Sequence, residues 1–168
     1  MIRGCDHIGI QVGDVERSAR FYEENLGFEC VERWSLSHPY VQRVVGYYPD
    51  VTLEIALLRI PNTNLFLEIL EYRGVDRVPI DPATANPGTA HFCLFVDDLD
   101  MLYADLVAKG VEFVSEVQTP TWGPNEGGRL VYMKDPDGIR VELVETRKRS
   151  DGAVLGAPGG EPSRSQDQ

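Results

Sequence analysis

The sequence predicts an α+β protein made of two β-α-β-β-β modules, in each of which the helix packs on one face of the strands. The chain repeats itself: His7–Asp14 and His91–Asp98 each run from a histidine through an apolar segment to an aspartate. In both copies a helical pattern and then strand patterns follow. We therefore expect one domain over residues 1–146, with module 1 at 1–72, a linker at 73–89 and module 2 at 90–146.

Each copy has a helix directly after its opening strand. The apolar residues at helical spacing are Val15, Ala19, Tyr22 and Leu26 in the first copy, and Leu99, Leu102, Tyr103 and Leu106 in the second. Asp14 and Asp98 are predicted N-caps, because a short carboxylate accepts hydrogen bonds from the free N–H groups of the first turn. Gly27 and Gly110 stand where left-handed C-caps are expected.

Three strands should follow each helix. The predicted strands lie at 28–31, 51–60 and 64–72 in the first copy, and at 111–114, 128–134 and 139–145 in the second. Pro61-Asn62 and the Asp135–Gly138 segment are turn signals between the last two strands of each copy. Segment 32–50 has no clear strand limits. Its His38 has no counterpart in the repeat, and we interpret it as structural or exposed.

Composition excludes several classes of partner. With a formal net charge of -11 the chain lacks the basic surface that nucleic acids or anionic membranes require, so we expect neither as a partner. No apolar run is long enough to span a bilayer, and the N-terminus has no signal-peptide pattern. An odd number of cysteines, three, suits a reducing compartment. We therefore expect a soluble, cytoplasmic protein.

The C-terminal stretch, residues 147–168, differs in composition from the rest. It is rich in Gly, Pro, Ser and charged residues. Such a segment buries too little apolar surface to offset its loss of conformational entropy, and we predict a disordered tail.

Two histidines and two glutamates occupy equivalent positions of the repeat. Glu68 and Glu142 each lie between aliphatic residues in the last strand of their copy, where an unpaired carboxylate is costly unless it binds a partner or a metal. Because side chains alternate along a strand, each glutamate should point away from the helices, as should His7 and His91. For any one of these residues taken alone, an ordinary structural role is the better interpretation. Because all four occur at equivalent positions of the repeat, the set as a whole favours a metal site.

If the two copies pair as a pseudo-twofold, these four side chains converge on one divalent ion. Two imidazoles and two carboxylates suit Ni, Co, Zn or Mn, or Fe(II). We therefore predict His7, Glu68, His91 and Glu142 as metal ligands.

Two motifs resemble those of the vicinal-oxygen-chelate superfamily, the glyoxalase, bleomycin-resistance and dioxygenase type. One runs from His7 through Asp14, Ser18 and Phe21-Tyr22 to Leu26-Gly27-Phe28, and the other is Lys134–Ile139 followed by Glu142. The resemblance covers residues 1–146. It implies that the two modules pair into a curved mixed sheet with the helices on its outer face. It also implies one divalent metal ion and, as in many members, a homodimer.

The resemblance also implies a reaction. Glyoxalase I and methylmalonyl-CoA epimerase, the members it most resembles, move a proton next to a carbonyl through a metal-stabilised enediolate or enolate. Glu142 and Glu68 are then the candidate catalytic bases, and the substrate is a small carbonyl compound or thioester. Glu68 fits glyoxalase I best, whereas epimerases tend to carry Gln there. Gln11 and Tyr72 stand where bacterial glyoxalase I has the Arg and Asn of its glutathione clamp, so that clamp is not expected.

Two alternatives stay open. An extradiol-type dioxygenase would use Fe(II) or Mn(II), although a fourth protein ligand would crowd the site for catechol and oxygen. A non-catalytic protein that binds an antibiotic or another small molecule could stack it on Tyr72, Phe95 and Trp122, but such proteins generally lack the ligand set.

Several further residues fall near the predicted site. Cys5 and Cys93 share a face with the ligand histidines; we interpret them as small buried thiols in preference to soft metal ligands. Segment 118–127 is either a lid or an ordinary surface connection. Arg129 and Arg140 are more consistent with solvated or salt-bridged residues than with binding of an anionic substrate.

Overall fold

The computed structural model describes residues 1–47, 51–123 and 125–146. The chain forms two compact units. Unit 1 comprises Met1–Asp81 and Asp135–Gly138, and unit 2 comprises Pro82–Lys134 and Ile139–Gln168. The predicted tail at 147–168 lies outside the described residues. In the described ranges, no helix combines the length and the apolar character needed to cross a bilayer.

Unit 1 is a four-stranded mixed sheet with two helices. Its elements are β1 (His7–Gln11), α1 (Val15–Leu26), β2 (Glu29–Leu36), α2 (Pro39–Val45), β3 (Thr52–Arg59) and β4 (Phe66–Arg73). The strand order is β1-β4-β3-β2, with β1 parallel to β4 and the other neighbours antiparallel. β1, the first strand of the chain, therefore lies directly beside β4, the strand that carries Glu68.

Unit 2 repeats this arrangement with one strand fewer. Its elements are β5 (His91–Phe95), α3 (Leu99–Ala108), β6 (Arg129–Lys134) and β7 (Arg140–Glu145). The strand order is β5-β7-β6, with β5 parallel to β7 and β6 antiparallel to it. The predicted α+β class, with mixed sheets and few helices, is confirmed.

The prediction of a strand at 111–114 is wrong, because no continuous strand forms there. The backbone there pairs with β6 through an isolated bridge between Phe113 and Met133, and a second bridge joins Gln118 to Leu130. The chain bends at 114–116, between the two bridges, so a continuous ladder does not form. Unit 2 is therefore β-α-β-β with two bridges at its edge.

Segment 32–50, for which no strand limits could be predicted, contains the end of β2 and the helix α2. His38 is the N-cap of α2: its Nδ1 accepts a hydrogen bond from the Tyr40 N–H at 3.3 Å, and its side chain is exposed. Pro39 occupies the first turn, and Gly46 ends the helix with φ 78°, a left-handed value that glycine adopts without strain. Residues 48–50 of this segment lie outside the described residues.

The two long helices begin as predicted. Asp14 caps α1 by accepting from the Arg17 N–H, and Asp98 caps α3 by accepting from the Met101 N–H, each at 2.9 Å. Gly27 is the left-handed C-cap of α1. In α3 the C-cap is Lys109, and the left-handed residue, Gly110 with φ 81°, follows it.

A second carboxylate binds the start of each helix from the sheet beneath it. The Val15 N–H of α1 donates to Glu71 at 3.2 Å, and the Leu99 N–H of α3 donates to Glu145 at 2.8 Å. Glu71 and Glu145 lie three residues after Glu68 and Glu142. Because a helix N-terminus carries partial positive charge, each carboxylate helps to anchor a helix to the strand that carries a candidate ligand.

The face of each sheet that meets its helix is apolar. In unit 1, α1 packs on β3 and β4, and Leu58, Leu67 and Ile69 have no exposed surface. In unit 2, Val141 and Leu143 of β7 are equally buried, and α3 contacts that strand. Alternation along β4 and β7 therefore sends Glu68 and Glu142 to the opposite face, as predicted.

Residues 135–138 follow β6 in the chain but belong to unit 1, where they contact α1. Asp137 accepts from the Gly13 N–H at 3.1 Å and pairs with Arg17 at 2.6 Å. The buried Tyr22 hydroxyl donates to Asp135 at 3.1 Å. Burial, and then the charge of Asp135, raise the pKa of Tyr22 well above its usual value, so its hydroxyl stays protonated and able to donate.

The other face of the unit 1 sheet has a small core of its own. Leu53 and Ile55 of β3 and Leu70 of β4 cluster there with Val41 of α2 and Val51. α2 therefore covers part of the face that carries Glu68.

Candidate metal centre

The first His–Glu pair lies between β1 and β4 in unit 1. His7 Nε2 is 3.4 Å from Glu68 Oε2, and the side chains are 40% and 20% exposed, so solvent reaches the pair. His7 Nδ1 lies 2.8 Å from Asp6 Oδ2. Because a carboxylate can only accept, Nδ1 carries the proton in neutral His7, and Nε2 presents its lone pair to Glu68. We call His7 and Glu68 half-site 1.

The second pair has the same geometry between β5 and β7 in unit 2. His91 Nε2 is again 3.4 Å from Glu142 Oε2, with the side chains 41% and 16% exposed. The Tyr132 hydroxyl donates to Glu142 Oε2 at 3.2 Å and lies 3.3 Å from His91 Nε2. We call His91 and Glu142 half-site 2.

The strand register explains why the two half-sites match. In unit 1 Gly9 stands opposite Glu68, and in unit 2 Cys93 stands opposite Glu142. Each histidine lies two residues before that partner, on the same face of its strand. The same parallel register in both units therefore gives the same separation of imidazole and carboxylate.

The residues present fit a divalent cation. In half-site 1 a nitrogen lone pair faces a carboxylate oxygen, and two acceptors that face each other are stabilised by a cation that both can bind. Two ligand atoms, each about 2.1 Å from one ion, lie roughly 3.0–3.4 Å apart for bond angles between a right angle and the tetrahedral angle. The separation of 3.4 Å in both half-sites is within this range.

Each unit, taken by itself, supplies one histidine and one glutamate of the predicted set. Across the described residues, no group of three or more His, Cys, Asp or Glu side chains is placed to hold a metal ion. The structure thus brings His7 to Glu68 and His91 to Glu142, and the four-ligand centre remains a prediction.

Aromatic and apolar side chains line half-site 1. Tyr72 is on the same strand and face as Glu68, and its ring meets Tyr47 edge to face, with the ring centroids 5.9 Å apart. Burial first, and then Tyr47 and Glu68, raise the pKa of Tyr72. On β1, Gln11 continues the exposed face that His7 begins. This surface offers neutral hydrogen-bonding groups and aromatic rings.

Half-site 2 has more polar neighbours. The Cys93 thiol is hydrogen-bonded to Glu142; burial, followed by the charge of that carboxylate, raises the pKa of the thiol to about 11. Burial and Glu142 likewise raise the pKa of Tyr132. Both groups are therefore protonated at neutral pH and able to donate to the carboxylate.

The interpretation of Cys5 and Cys93 as buried thiols is wrong, since both residues have exposed surface, although neighbouring atoms desolvate the Cys93 thiol enough to raise its pKa. Cys5 lies before β1 begins, and Cys93 shares the exposed face of β5 with His91 and Phe95. Arg129 is salt-bridged, as expected, with its guanidinium 2.5 Å from Asp100 of α3.

Segment 118–127 is tied to its surroundings by backbone hydrogen bonds. Gln118 exchanges two bonds with Leu130, and the Gly127 N–H donates to the Pro120 carbonyl. Trp122 nevertheless points into solvent and is 88% exposed. Pro124 lies outside the described residues.

Sequence reasoning missed Tyr132, Glu71 and Glu145. Tyr132 could have been found by counting back from the turn: Lys134 pairs with Arg140, so Tyr132 must pair with Glu142. For the two anchoring glutamates the available signal was their repetition, three residues after each candidate ligand.

Comparison with known proteins identifies the family to which the chain is similar. The family model described as the Glyoxalase/Bleomycin resistance protein/Dioxygenase superfamily matches residues 4–143. The chain is 31% identical over 148 residues to a 2-epi-5-epi-valiolone epimerase of an Actinomyces species, covering 82% of this chain and 76% of that protein. It is 29% identical over 142 residues to a probable chloroplastic lactoylglutathione lyase of Arabidopsis thaliana, covering 83% of this chain but 35% of that relative, so it spans about a third of the plant protein's length.

Among solved structures, a glyoxalase family protein of Bacillus cereus superimposes with a TM-score of 0.71 at 21% identity. The match covers 87% of this chain and 95% of the other. At this identity the likeness supports the fold.

Proposed function

Since the chain belongs to the Glyoxalase/Bleomycin resistance protein/Dioxygenase superfamily, we propose that it is a metal-dependent enzyme that moves a proton next to the carbonyl group of a small-molecule substrate. Relatives named as a lactoylglutathione lyase and an epimerase support a lyase or an isomerase. The observation that carries the proposal is the repeated His–Glu pair, at 3.4 Å in each unit.

We propose that His7, Glu68, His91 and Glu142 together hold one divalent ion, of Ni, Co, Zn or Mn. Imidazole and carboxylate ligands suit all four metals. When bound, the ion would supply positive charge to an oxyanion that develops on the substrate carbonyl, an effect worth several kcal/mol. The Asp6 carboxylate supports this role, because it holds the His7 proton on Nδ1 and leaves Nε2 free to bind.

The proton itself is moved by a carboxylate. Glu68 and Glu142 are the candidate bases: one takes the proton from the carbon next to the carbonyl while the C–H electron pair moves toward the carbonyl oxygen. Return of a proton to the opposite face of the same carbon completes an epimerisation, whereas return to the same face regenerates the substrate. Return to the neighbouring carbon completes an isomerisation. No redox partner is needed, because atoms and electrons balance within the substrate.

The surroundings of half-site 1 favour a substrate without glutathione. Gln11 and Tyr72 are neutral and cannot form the charged part of a carboxylate clamp, and the Tyr47–Tyr72 pair presents ring surface beside Glu68. The epimerase relative also matches over more of its own length than the plant lyase does. We therefore favour an isomerase acting on a small ketone over a glutathione-dependent lyase.

Elemental analysis of the purified protein tests the metal first. We expect near-stoichiometric Ni, Co, Zn or Mn in the wild type and its loss when Glu68 and Glu142 are both changed to Ala. A matched control changes the exposed Glu29 and Glu112 to Ala, and it should keep the metal. No metal in the wild type, even after reconstitution, would contradict the proposed enzyme and favour a binding protein. Bound Fe(II) with oxygen consumption would favour a dioxygenase.

Proton exchange then tests the reaction. Small ketones incubated with the protein in D2O should lose the NMR signal of the hydrogen next to the carbonyl, whereas the methylglyoxal–glutathione hemithioacetal should give little thioester product. Rapid thioester formation would instead assign the lyase activity.

We also propose a homodimer, and sedimentation should give about twice the 18.8 kDa mass of the chain.

A further inference from the structure

The two half-sites differ in what surrounds their glutamates. On the strand that pairs antiparallel with each glutamate strand, Leu57 stands opposite Glu68 and Tyr132 stands opposite Glu142. On the parallel neighbour, Gly9 stands opposite Glu68 and Cys93 opposite Glu142. Both positions next to Glu68 therefore lack a polar side chain, whereas both positions next to Glu142 carry a hydrogen-bond donor.

Tyr132 contacts both members of half-site 2. Its hydroxyl donates to Glu142 at 3.2 Å and lies 3.3 Å from His91 Nε2, and its ring meets the imidazole edge to face with the centroids 5.2 Å apart. A phenol has few rotatable bonds and extends from a paired strand, so it holds a carboxylate in one rotamer at little entropic cost. Cys93 stands directly opposite Glu142 on the other neighbouring strand.

Neither residue opposite Glu68 on the neighbouring strands carries such a donor. A Cβ added at Gly9 would lie 3.8 Å from Glu68 Oε2 and 3.7 Å from Leu70 Cδ1, both ordinary contact distances, so the carboxylate adjoins a position that has no side chain to hold it. The Leu57 side chain can restrict this carboxylate by packing but cannot hydrogen-bond to it. Within the part of the chain that the structure describes, the Glu68 carboxylate pairs with His7 at 3.4 Å.

We infer that Tyr132 is a positioning residue that fixes Glu142 as a permanent metal ligand, so that Glu68 is the carboxylate free to move and to transfer the proton. This inference rests on the proposed function and assigns the two equivalent glutamates different tasks. The repeat supplies two ligand pairs, and the neighbours at two register positions distinguish them.

Binding of cobalt(II) to the full chain tests this assignment without any substrate. A Tyr132→Phe variant keeps the ring and loses the hydroxyl; we expect its Co2+ dissociation constant to rise about 10-fold or more, as for loss of other groups that orient metal ligands. The visible absorption of the bound Co2+ should change as well, because Glu142 is less fixed. The matched control, Tyr103→Phe, removes a hydroxyl from α3 of the same unit and should leave the constant and the spectrum unchanged.

A second pair of variants compares the glutamates directly. Glu142→Gln should weaken Co2+ binding more than Glu68→Gln, since the fixed ligand contributes more to metal retention than the mobile one. Equal weakening, or a larger effect at Glu68, would overturn the assignment, as would a Tyr132→Phe variant with wild-type affinity and spectrum. If the wild type binds no Co2+ at all, the proposed function fails and this inference fails with it. Wild-type binding with the wrong order among the variants refutes the inference alone.

Discussion

The fold requires glycine at position 13, because a side chain there would collide with a neighbouring loop. A Cβ at this position would lie 2.9 Å from Asp137 Oδ1, closer than real contacts allow. The carboxylate cannot easily yield, because Arg17 at 2.6 Å and the Ser18 hydroxyl at 3.3 Å hold its other oxygen. The Gly13 N–H also donates to Asp137. A glycine is therefore needed where the 135–138 loop approaches the start of α1.

We predict that Gly13→Ala lowers the free energy of unfolding by about 1–2 kcal/mol, because either the loop or the backbone must shift. Gly4→Ala is the matched control, since nothing lies within 4 Å of a Cβ added there. Urea denaturation of both variants measures the difference. A Gly13→Ala variant as stable as the control would show that the loop moves away from α1 without cost.

At the scale of secondary structure, the start of α1 depends on Glu71 as well as on its N-cap. Glu71 is 6% exposed, accepts from the Val15 N–H and pairs with Arg73 at 2.9 Å. The hydrogen bonds from Arg73, assisted by the bond from Val15 and opposed by burial, lower the pKa of Glu71 below 4.5. A carboxyl group whose pKa is lower in the folded state stabilises the fold when it is ionised.

Replacement of Glu71 by Gln should therefore destabilise the protein by about 2 kcal/mol at pH 7. The wild-type advantage is fully present above the unfolded-state pKa and is lost as the pH falls through the lower folded-state pKa, so the two proteins should converge in acid. Denaturation curves at pH 7 and at acidic pH measure this. Glu29→Gln, on an exposed pair with Arg59, should change stability by less than about 1 kcal/mol at either pH. A pH-independent loss at Glu71 would point to packing instead of charge.

At the scale of the whole molecule, the proposed metal would couple folding to binding. In the proposed centre, four ligands drawn from both halves of the sequence would come together in the folded chain and not in the unfolded one, so bound metal would stabilise the native state. The free energy of metal binding under the conditions used then adds to the free energy of unfolding.

We predict that metal at 100 times its dissociation constant raises the free energy of unfolding by about 2.7 kcal/mol. Thermal denaturation with and without added Ni2+ or Co2+ measures the shift. The variant with both Glu68 and Glu142 changed to Ala should show no shift, whereas the Glu29/Glu112 double variant should respond like the wild type. An equal response of all three proteins would mean that the ion binds elsewhere.

The local features could be read from the sequence because their causes are local. Asp14 and Asp98 cap helices through bonds to residues three positions away, and the alternation of side chains along a strand sends Glu68 and Glu142 away from the helices without reference to the rest of the chain. The repeat added what no single residue could, since two equivalent histidines and two equivalent glutamates indicate a shared role.

Tertiary structure decided everything that depends on which distant residues become neighbours. The strand predicted at 111–114 became isolated bridges because the chain bends there, and α2 packs on the sheet face that carries Glu68. Residues 135–138 join unit 1 through contacts with residues more than a hundred positions earlier. The difference between the half-sites has the same origin: Tyr132 and Leu57 act on the two glutamates because strand pairing places them opposite, and pairing depends on hydrogen bonds between separate segments of the chain.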